Sequence, residues 1–386
     1  MSLIVDEHRQ YLADQARISA FRRAITEVVK PGSVVVDLGA GSGIMGLMAC
    51  QAGAGRVYAI ESTDLIGLTE DICRANGFLD RVRFVHDHST RVRLPERADV
   101  VVADQIGYFG FDAGVLECFG DARERFLKPG GVLIPSRIDL LVAPVSHEPL
   151  WEQIEFWNRS PAGFNFTPAR TLAANTGYPF KFAPEHLLGQ PATLVSLDTA
   201  TPSASLSGLE AWLVADRDGP LHGIGGWFMA QLSPGVTMTN SPLAADAIQR
   251  KNLFFPIDQP VALAKGDRIR VSMQIRPHDT MVTWTVEVWE PGPGSPQAGD
   301  SRKARFSHSM FHGMVLSKAQ LEKTRPGFVP TLTAWGLASR SILDLCDGRR
   351  PLREVEQEVY RRHRDLFTSE ADASRFVAEV VTRYTQ

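Results

Sequence analysis

The chain has 386 residues, 44% of them hydrophobic and 22% charged, with a formal net charge of −3. That length exceeds what one compact core usually absorbs, and the composition excludes a mainly disordered chain. The balance of 41 Lys and Arg against 44 Asp and Glu argues against a dedicated binder of nucleic acid or anionic membrane. The four cysteines, Cys50, Cys73, Cys118 and Cys346, stand far apart and without metal-ligand spacing. They point to free thiols, no structural metal and a cytoplasmic setting. The opening Met-Ser-Leu-Ile-Val-Asp lacks the apolar stretch of a signal peptide, and no apolar run is long enough to suggest a membrane span.

In chain order, residues 6–30 carry Tyr11, Ala16, Ile18, Phe21, Ile25 and Val28 at near-helical spacing, and Lys30-Pro31-Gly32 stops that helix. Strand-like runs at 33–38, 57–61, 82–86, 100–104 and 132–135 then alternate with helical segments. Such alternation predicts an α/β unit with a largely parallel sheet, extending to about residue 145. From about 146 the texture becomes β-rich, with runs at 226–231, 268–276 and 281–289 separated by turn signals. A β-sandwich or barrel is expected there. Residues 291–300, rich in Pro and Gly, read as a loop or linker. Strand-like runs at 305–317 and 327–333 follow, then helices around 337–346, 352–363 and 370–384. The last helix groups Phe376, Val377, Val380, Val381 and Tyr384 on one face for packing on a core.

The strongest chemical signal is Asp37-Leu38-Gly39-Ala40-Gly41-Ser42-Gly43, a hydrophobic strand running into glycines and then a helix at 44–52. Glycine lets the backbone approach a ligand without a Cβ, and a helix N-terminus favours electron-rich groups. Eighteen residues after Gly43 the next strand ends at Glu61, where a carboxylate can accept both ribose hydroxyls of an adenosine. An acid at Asp37, on the strand itself, suits a cationic amino-acid tail better than a pyrophosphate. His86 and His88, one residue apart, would splay to opposite sides of a strand and so make a poor metal pair.

Asp37 with its three glycines and Glu61 resembles motif I of class I S-adenosylmethionine (SAM) methyltransferases. The runs Ala40–Glu61, Asp99–Phe109 and Ala122–Pro135 extend that resemblance to the protein arginine methyltransferase family, over roughly residues 6–290. The resemblance implies a Rossmann-like seven-stranded sheet, a β-barrel or sandwich with an inserted dimerisation arm near 157–182, and a homodimer. It implies SAM as cofactor, with Glu61 and neighbouring Ser62 at the ribose, Asp37, Gly39, Gly41 and Gly43 at the methionine end, and Arg17 on the SAM carboxylate. Asp87 or Ser89 falls where the family contacts adenine, and His8 matches a histidine near the active site.

The chain departs from the family where the acceptor guanidinium is clamped. Asp104 stands for the first of two glutamates, as a base or cation-binding carboxylate, and Ala113 stands for the second, with Asp112 beside it. Ala247-Ile248-Gln249 replaces a Thr-His-Trp loop. Histone-like arginine is therefore not the expected acceptor. The tail, Ile342-Leu-Asp-Leu-Cys346-Asp-Gly348 with its flanking segments, resembles PqqD-like domains, small winged-helix-like modules that bind leader peptides in ribosomal-peptide modification. The domains expected are 1–30, a helical segment closing over the cofactor; 31–145, the SAM-binding sheet; 146–305, the β domain; and 306–386, the peptide-binding module. The function expected is methylation of a peptide in a natural-product pathway. A small-molecule N- or O-methyltransferase and an inert SAM-fold scaffold stand as alternatives.

Overall fold

The structure, a computed structural model, describes residues 4–200, 206–292 and 301–385. The chain divides into two compact units, 1–314 and 315–386. The expected helix at 6–30 is two helices, α1 (Ile4–Ala13) and α2 (Gln15–Val28). Apolar spacing continues across the break, but Asp14 leaves helical geometry (ψ 91°) and its carboxylate accepts the Arg17 amide at 3.3 Å. A short carboxylate competes well for free amides at a helix start, so Asp14 ends one helix by capping the next.

The alternating segments that follow are β1 (Val34–Leu38), α3 (Ile44–Gln51), β2 (Arg56–Glu61), α4 (Leu65–Ala75), β3 (Val82–His86), β4 (Ala98–Val102), α5 (Val115–Arg125) and β5 (Leu127–Ile134). The strands form one parallel sheet in the order β3-β2-β1-β4-β5. Every β1 residue is buried, as expected of a strand covered on both faces. The strand order reverses between β1 and β4, so ligands are expected beyond the carboxyl ends of those two strands. Among the described residues this sheet has five strands, not the expected seven. The next apolar run, β6 (Arg137–Val145), pairs antiparallel with strands of the following domain and never returns to the parallel sheet.

The β domain thus begins at 137 rather than 146. After β6 come α6 (Glu148–Glu155), α7 (Thr167–Ala174), β7 (Tyr178–Phe180), β8 (Ala192–Asp198), β9 (Leu209–Val214), β10 (Gly219–Ser233), β11 (Val236–Thr239), β12 (Asn252–Leu263), β13 (Arg268–Arg276), β14 (Met281–Trp289) and β15 (Arg302–Ser309). One sheet runs β7-β12-β10-β6-β8 with β11 beside β10, and the other β15-β14-β13-β9. Trp284 of β14 is fully buried, donates its indole N–H to the Pro256 carbonyl of β12 at 2.9 Å and lies 5.4 Å from Phe255. It joins the two layers with apolar area and a satisfied polar edge. The arm segment 157–182 holds α7 and β7, with Phe164 and Phe166 exposed. Residues 293–300 of the expected linker lie outside the described residues. The strand expected at 305–317 is β15, which belongs to this domain because it pairs with β14 along its length.

The second unit therefore starts at 315, not 306. It contains α8 (Lys318–Lys323), α9 (Ala334–Leu345), α10 (Leu352–Arg362) and α11 (Glu370–Tyr384). Its core joins Ile342, Leu345, Val355, Val359, Phe367, Ala373, Val377 and Val380. Gly348 (φ 72°) makes the left-handed turn after α9, and Asp347 accepts the amides of Arg349 and Arg350. Tyr384 is exposed rather than part of the packed face. Residues 327–333 are not a strand: Pro326 and Pro330 limit the backbone donors, and Val329 and Leu332 stay exposed. Among the described residues this unit has no strand, so the sheet edge of a winged-helix module is absent from it.

Candidate active site

At the carboxyl end of β1 the backbone turns through Gly39, Gly41 and Gly43, all at positive φ. At Gly41 a Cβ would collide with the His8 imidazole, so the glycine is needed for the close approach of α1. Asp37 is 1% exposed, and its Oδ2 accepts the Gly46 amide of α3 at 2.8 Å. Burial, offset only in part by that hydrogen bond, pushes its pKa up to about 7. Glu61, ending β2, accepts the Gly41 amide at 3.1 Å and the Thr63 amide and hydroxyl at 2.9 Å. A cavity of about 100 Å³ beneath α1 is lined by His8, Tyr11, Arg17, Asp37, Gly39, Met45 and Asp104, among others. The residues fit SAM: a buried carboxylate for a cationic amino-acid end, a glycine loop without side chains, and Glu61 beyond it for ribose hydroxyls. Met45 of α3 also faces this cavity.

Asp104, two residues past β4, is held between two arginines. Arg17 of α2 donates through Nε to Asp104 Oδ2, and Arg250 donates to Oδ1 at 3.2 Å and Oδ2 at 3.0 Å. The three side chains are only 7–12% exposed. Burial opposes ionisation of Asp104, but the Arg250 and Arg17 charges, with their hydrogen bonds, more than offset it and hold the carboxyl below the ordinary carboxylate range. Such a group is no general base, which corrects the first of its two expected roles. Arg17 also donates to the Tyr11 carbonyl at 3.1 Å, so the structure ties it to Asp104 and α1. Burial and the Glu7 hydrogen bond at 2.7 Å raise the Tyr11 phenol to about 12, which keeps it protonated.

Asp104 also lines a second cavity of about 470 Å³, within the range of small-ligand sites. Glu7, Tyr11, Arg17, Asp104, Tyr108, Asp112, Ala113, Arg250 and Lys251 are among its lining. Asp112 accepts the Tyr108 and Phe109 amides at 2.9 and 2.8 Å, and it packs where a Cβ on Gly107 would stand. Its carboxylate shapes the loop and is not free for chemistry, contrary to the catalytic expectation. Asp87 accepts its own loop's His88 amide and Arg91, Ser62 is exposed, and Ser89 offers its carbonyl to Arg125. None of Ser62, Asp87 and Ser89 lines either cavity. Among the described residues no cluster of side chains could hold a metal ion.

The sequence reading missed Arg250 and the structural role of Asp14. Asp14 Oδ2 accepts the Gln249 amide at 2.7 Å, while Asn240 donates to the carbonyls of Tyr108 and Lys251, both at 2.8 Å. These bonds bring the loop before β12 onto the sheet. The only signal for Arg250 was its place directly after the altered 247–249 loop.

Two family models match consecutive parts of the chain: ribosomal protein L11 methyltransferase at 22–139, and the arginine methyltransferase oligomerization subdomain at 136–288. A probable protein arginine N-methyltransferase 6 of Arabidopsis thaliana is 31% identical over 236 residues, which is 58% of this chain and 54% of that protein. The chain thus spans about half of that relative's length. Protein arginine N-methyltransferase 6 of Xenopus laevis is 28% identical over 71% of this chain and 85% of its own. The open crystal structure of Arabidopsis thaliana protein arginine methyltransferase 10 aligns with a TM-score of 0.67 at 20% identity, covering 78% of this chain and 97% of that one. The Trypanosoma brucei PRMT1 enzyme–prozyme complex with AdoHcy gives 0.69 at 20% identity, with the same coverage. At that identity the two structures speak for the fold alone. The glycine loop, Asp37 and Glu61 stand where the resemblance to class I SAM-dependent methyltransferases requires them. Over residues 22–288 the chain is similar to methyltransferases, and over 136–288 to the oligomerization subdomain of arginine methyltransferases.

Two expected outcomes follow from the buried charges. Asp104→Asn leaves two arginines without their shared anion, at a cost of about 3–5 kcal/mol, whereas Arg250→Gln leaves the Arg17–Asp104 pair intact. Thermal unfolding should rank Asp104→Asn as clearly the less stable; equal stability would contradict the clamp. For Asp37, the unfolded carboxyl titrates near 3.8 and the folded one at about 7. Between those values the folded chain holds one more proton, so stability falls as pH rises toward 7 and then levels off. Asp37→Asn removes that slope, and unfolding of wild type and variant between pH 4 and 8 measures it. Parallel curves would refute a buried, proton-holding Asp37.

Proposed function

We propose that the enzyme transfers a methyl group from SAM to a side chain of a protein or peptide, lodged in the 470 Å³ cavity beside Asp104. The observation that carries this reading is that Tyr11, Arg17 and Asp104 line both cavities, so one wall separates the cofactor end from a larger space open to a second reactant. Bound SAM supplies an electrophilic methyl on a sulfonium. The chain's own task is then positional: α1 covers the cofactor cleft through His8 and Gly41, and the Arg17–Asp104–Arg250 group fixes the wall. Alignment and exclusion of water supply most of the acceleration in such a displacement. The relatives are named for protein arginine, which favours a macromolecular side chain over a free metabolite.

The tail is read as the module that captures the peptide, as its likeness to leader-binding domains implies. Since no strand lies among this unit's described residues, capture is assigned to its helical face, where Trp335, Phe367 and Phe376 flank a groove of about 380 Å³. Tritiated SAM incubated with the full chain and a heat-treated cell extract should label the macromolecular fraction, and Trp335→Ala in the full chain should raise KM for that labelling without weakening SAM binding. Label confined to small molecules would support the metabolite alternative; SAM binding without any transfer would support the inert scaffold.

A homodimer is proposed as well. Its support is the match of 136–288 to an oligomerization subdomain, together with Phe164 and Phe166, 68% and 41% exposed in the arm. Light scattering at micromolar concentration should give twice 42.5 kDa, and Phe164→Asp should shift it toward the monomer. A wild-type mass of one chain would refute the dimer.

A further inference from the structure

Away from both cavities the β domain holds three histidines at the root of the arm. His147 precedes α6 and caps it, its Nδ1 accepting the Leu150 amide at 3.0 Å. Its own amide donates to Nδ1 of His222, a buried residue of β10, also at 3.0 Å. His186, in the turn at 184–186, accepts the Ala183 amide on its Nδ1 at 3.1 Å and lies 4.6 Å from His147, ring to ring. The Ser146 amide donates to the His186 carbonyl at 2.8 Å, and Val145 bridges to Leu187. The segment 148–182, which contains the arm, therefore leaves and rejoins the β domain through one stem. A ring nitrogen that accepts an N–H carries no proton, so these contacts fit the neutral imidazole and exclude the doubly protonated one. Once protonated, His147 would set N–H against N–H and add charge at the positive end of a helix.

We infer that the stem is an acid-sensitive latch: neutral His147 and His222 hold the start of α6 on β10, and their protonation opens the first turn of α6 and loosens the root of the arm. Burial, and then the neighbouring His186, hold His147 below the ordinary histidine value of 6.5; burial also lowers His222, over the opposing pull of Glu148. Glu148 of α6 and His186 are the titratable groups that act on the pair from the elements around it, while β7 brings Phe180, 4.6 Å from the His147 ring. The opened chain binds the protons more tightly than the closed one, so the latch is whole above pH 6.5 and weakens as pH falls below that value. The exposed Phe164 and Phe166 are carried by the segment that acid loosens, and the latch itself does not depend on a dimer.

Hydrogen exchange read by mass spectrometry on the full chain, at about pH 7.5 and about pH 5.5, tests the latch, with rates corrected for the intrinsic pH dependence of exchange. In the wild type the amides of 146–151 should exchange roughly fivefold faster at the lower pH, as expected for loss of a helix cap, while the parallel sheet keeps its protection. His147→Asn supplies an acceptor for the Leu150 amide that does not titrate in this range, and it should remove most of that rise. No acid response at 146–151 in the wild type would overturn the latch. So would a response of the same size in His147→Asn, or a loss of protection at the lower pH that spreads equally over the parallel sheet.

Discussion

One carboxylate with two guanidinium partners organises the active region. Asp104 leaves the parallel sheet just past β4, Arg17 comes from the second helix, and Arg250 comes from the loop before β12 of the β domain. Three segments far apart in sequence meet on a side chain that is 7% exposed. Inside a protein such a charge is tolerated only when its partners are in place, so the cluster ties the helical cover, the sheet and the β domain into one arrangement. Asp14 adds a second tie between the same segments, capping α2 with one oxygen and holding the Gln249 amide with the other.

The two acids at the strand ends have opposite electrostatic characters. Asp37 is buried with one amide donor and is pushed toward neutrality; it lies ready for a cation. Asp104 is buried with two cations and is held ionised. Carboxylates on adjacent strands, separated by environment into different protonation states, are how one fold assigns different tasks to like groups. Here Asp37 lines only the smaller cavity, and Asp104 lines both.

The cofactor half was legible because its determinants are local. A strand, a turn of positive-φ glycines and a helix are encoded within ten residues, and Glu61 follows at the end of the next strand. Strand runs in the α/β part lay within a few residues of their observed places for the same reason. The larger cavity beside Asp104 was not legible. Arg250 is 146 residues from Asp104 and reaches it only after the β domain has folded against the sheet. Asp112 looked catalytic beside Ala113, yet the tight turn at Gly107 directs two amides onto it.

The same division holds for the domains. Hydrophobic periodicity and turn chemistry act over a few residues, and they determined the order of elements, the parallel sheet, the β-rich middle and the helices of the tail. Which sheet a strand joins depends on partners that periodicity does not name. Tertiary structure alone sent β6 out of the parallel sheet, gave β15 to the β domain and left 327–333 unpaired. It also decided that the carboxylate read as a base or a cation-binding group is an ion-pair centre, because burial and two distant charges, not the residue type, set its protonation.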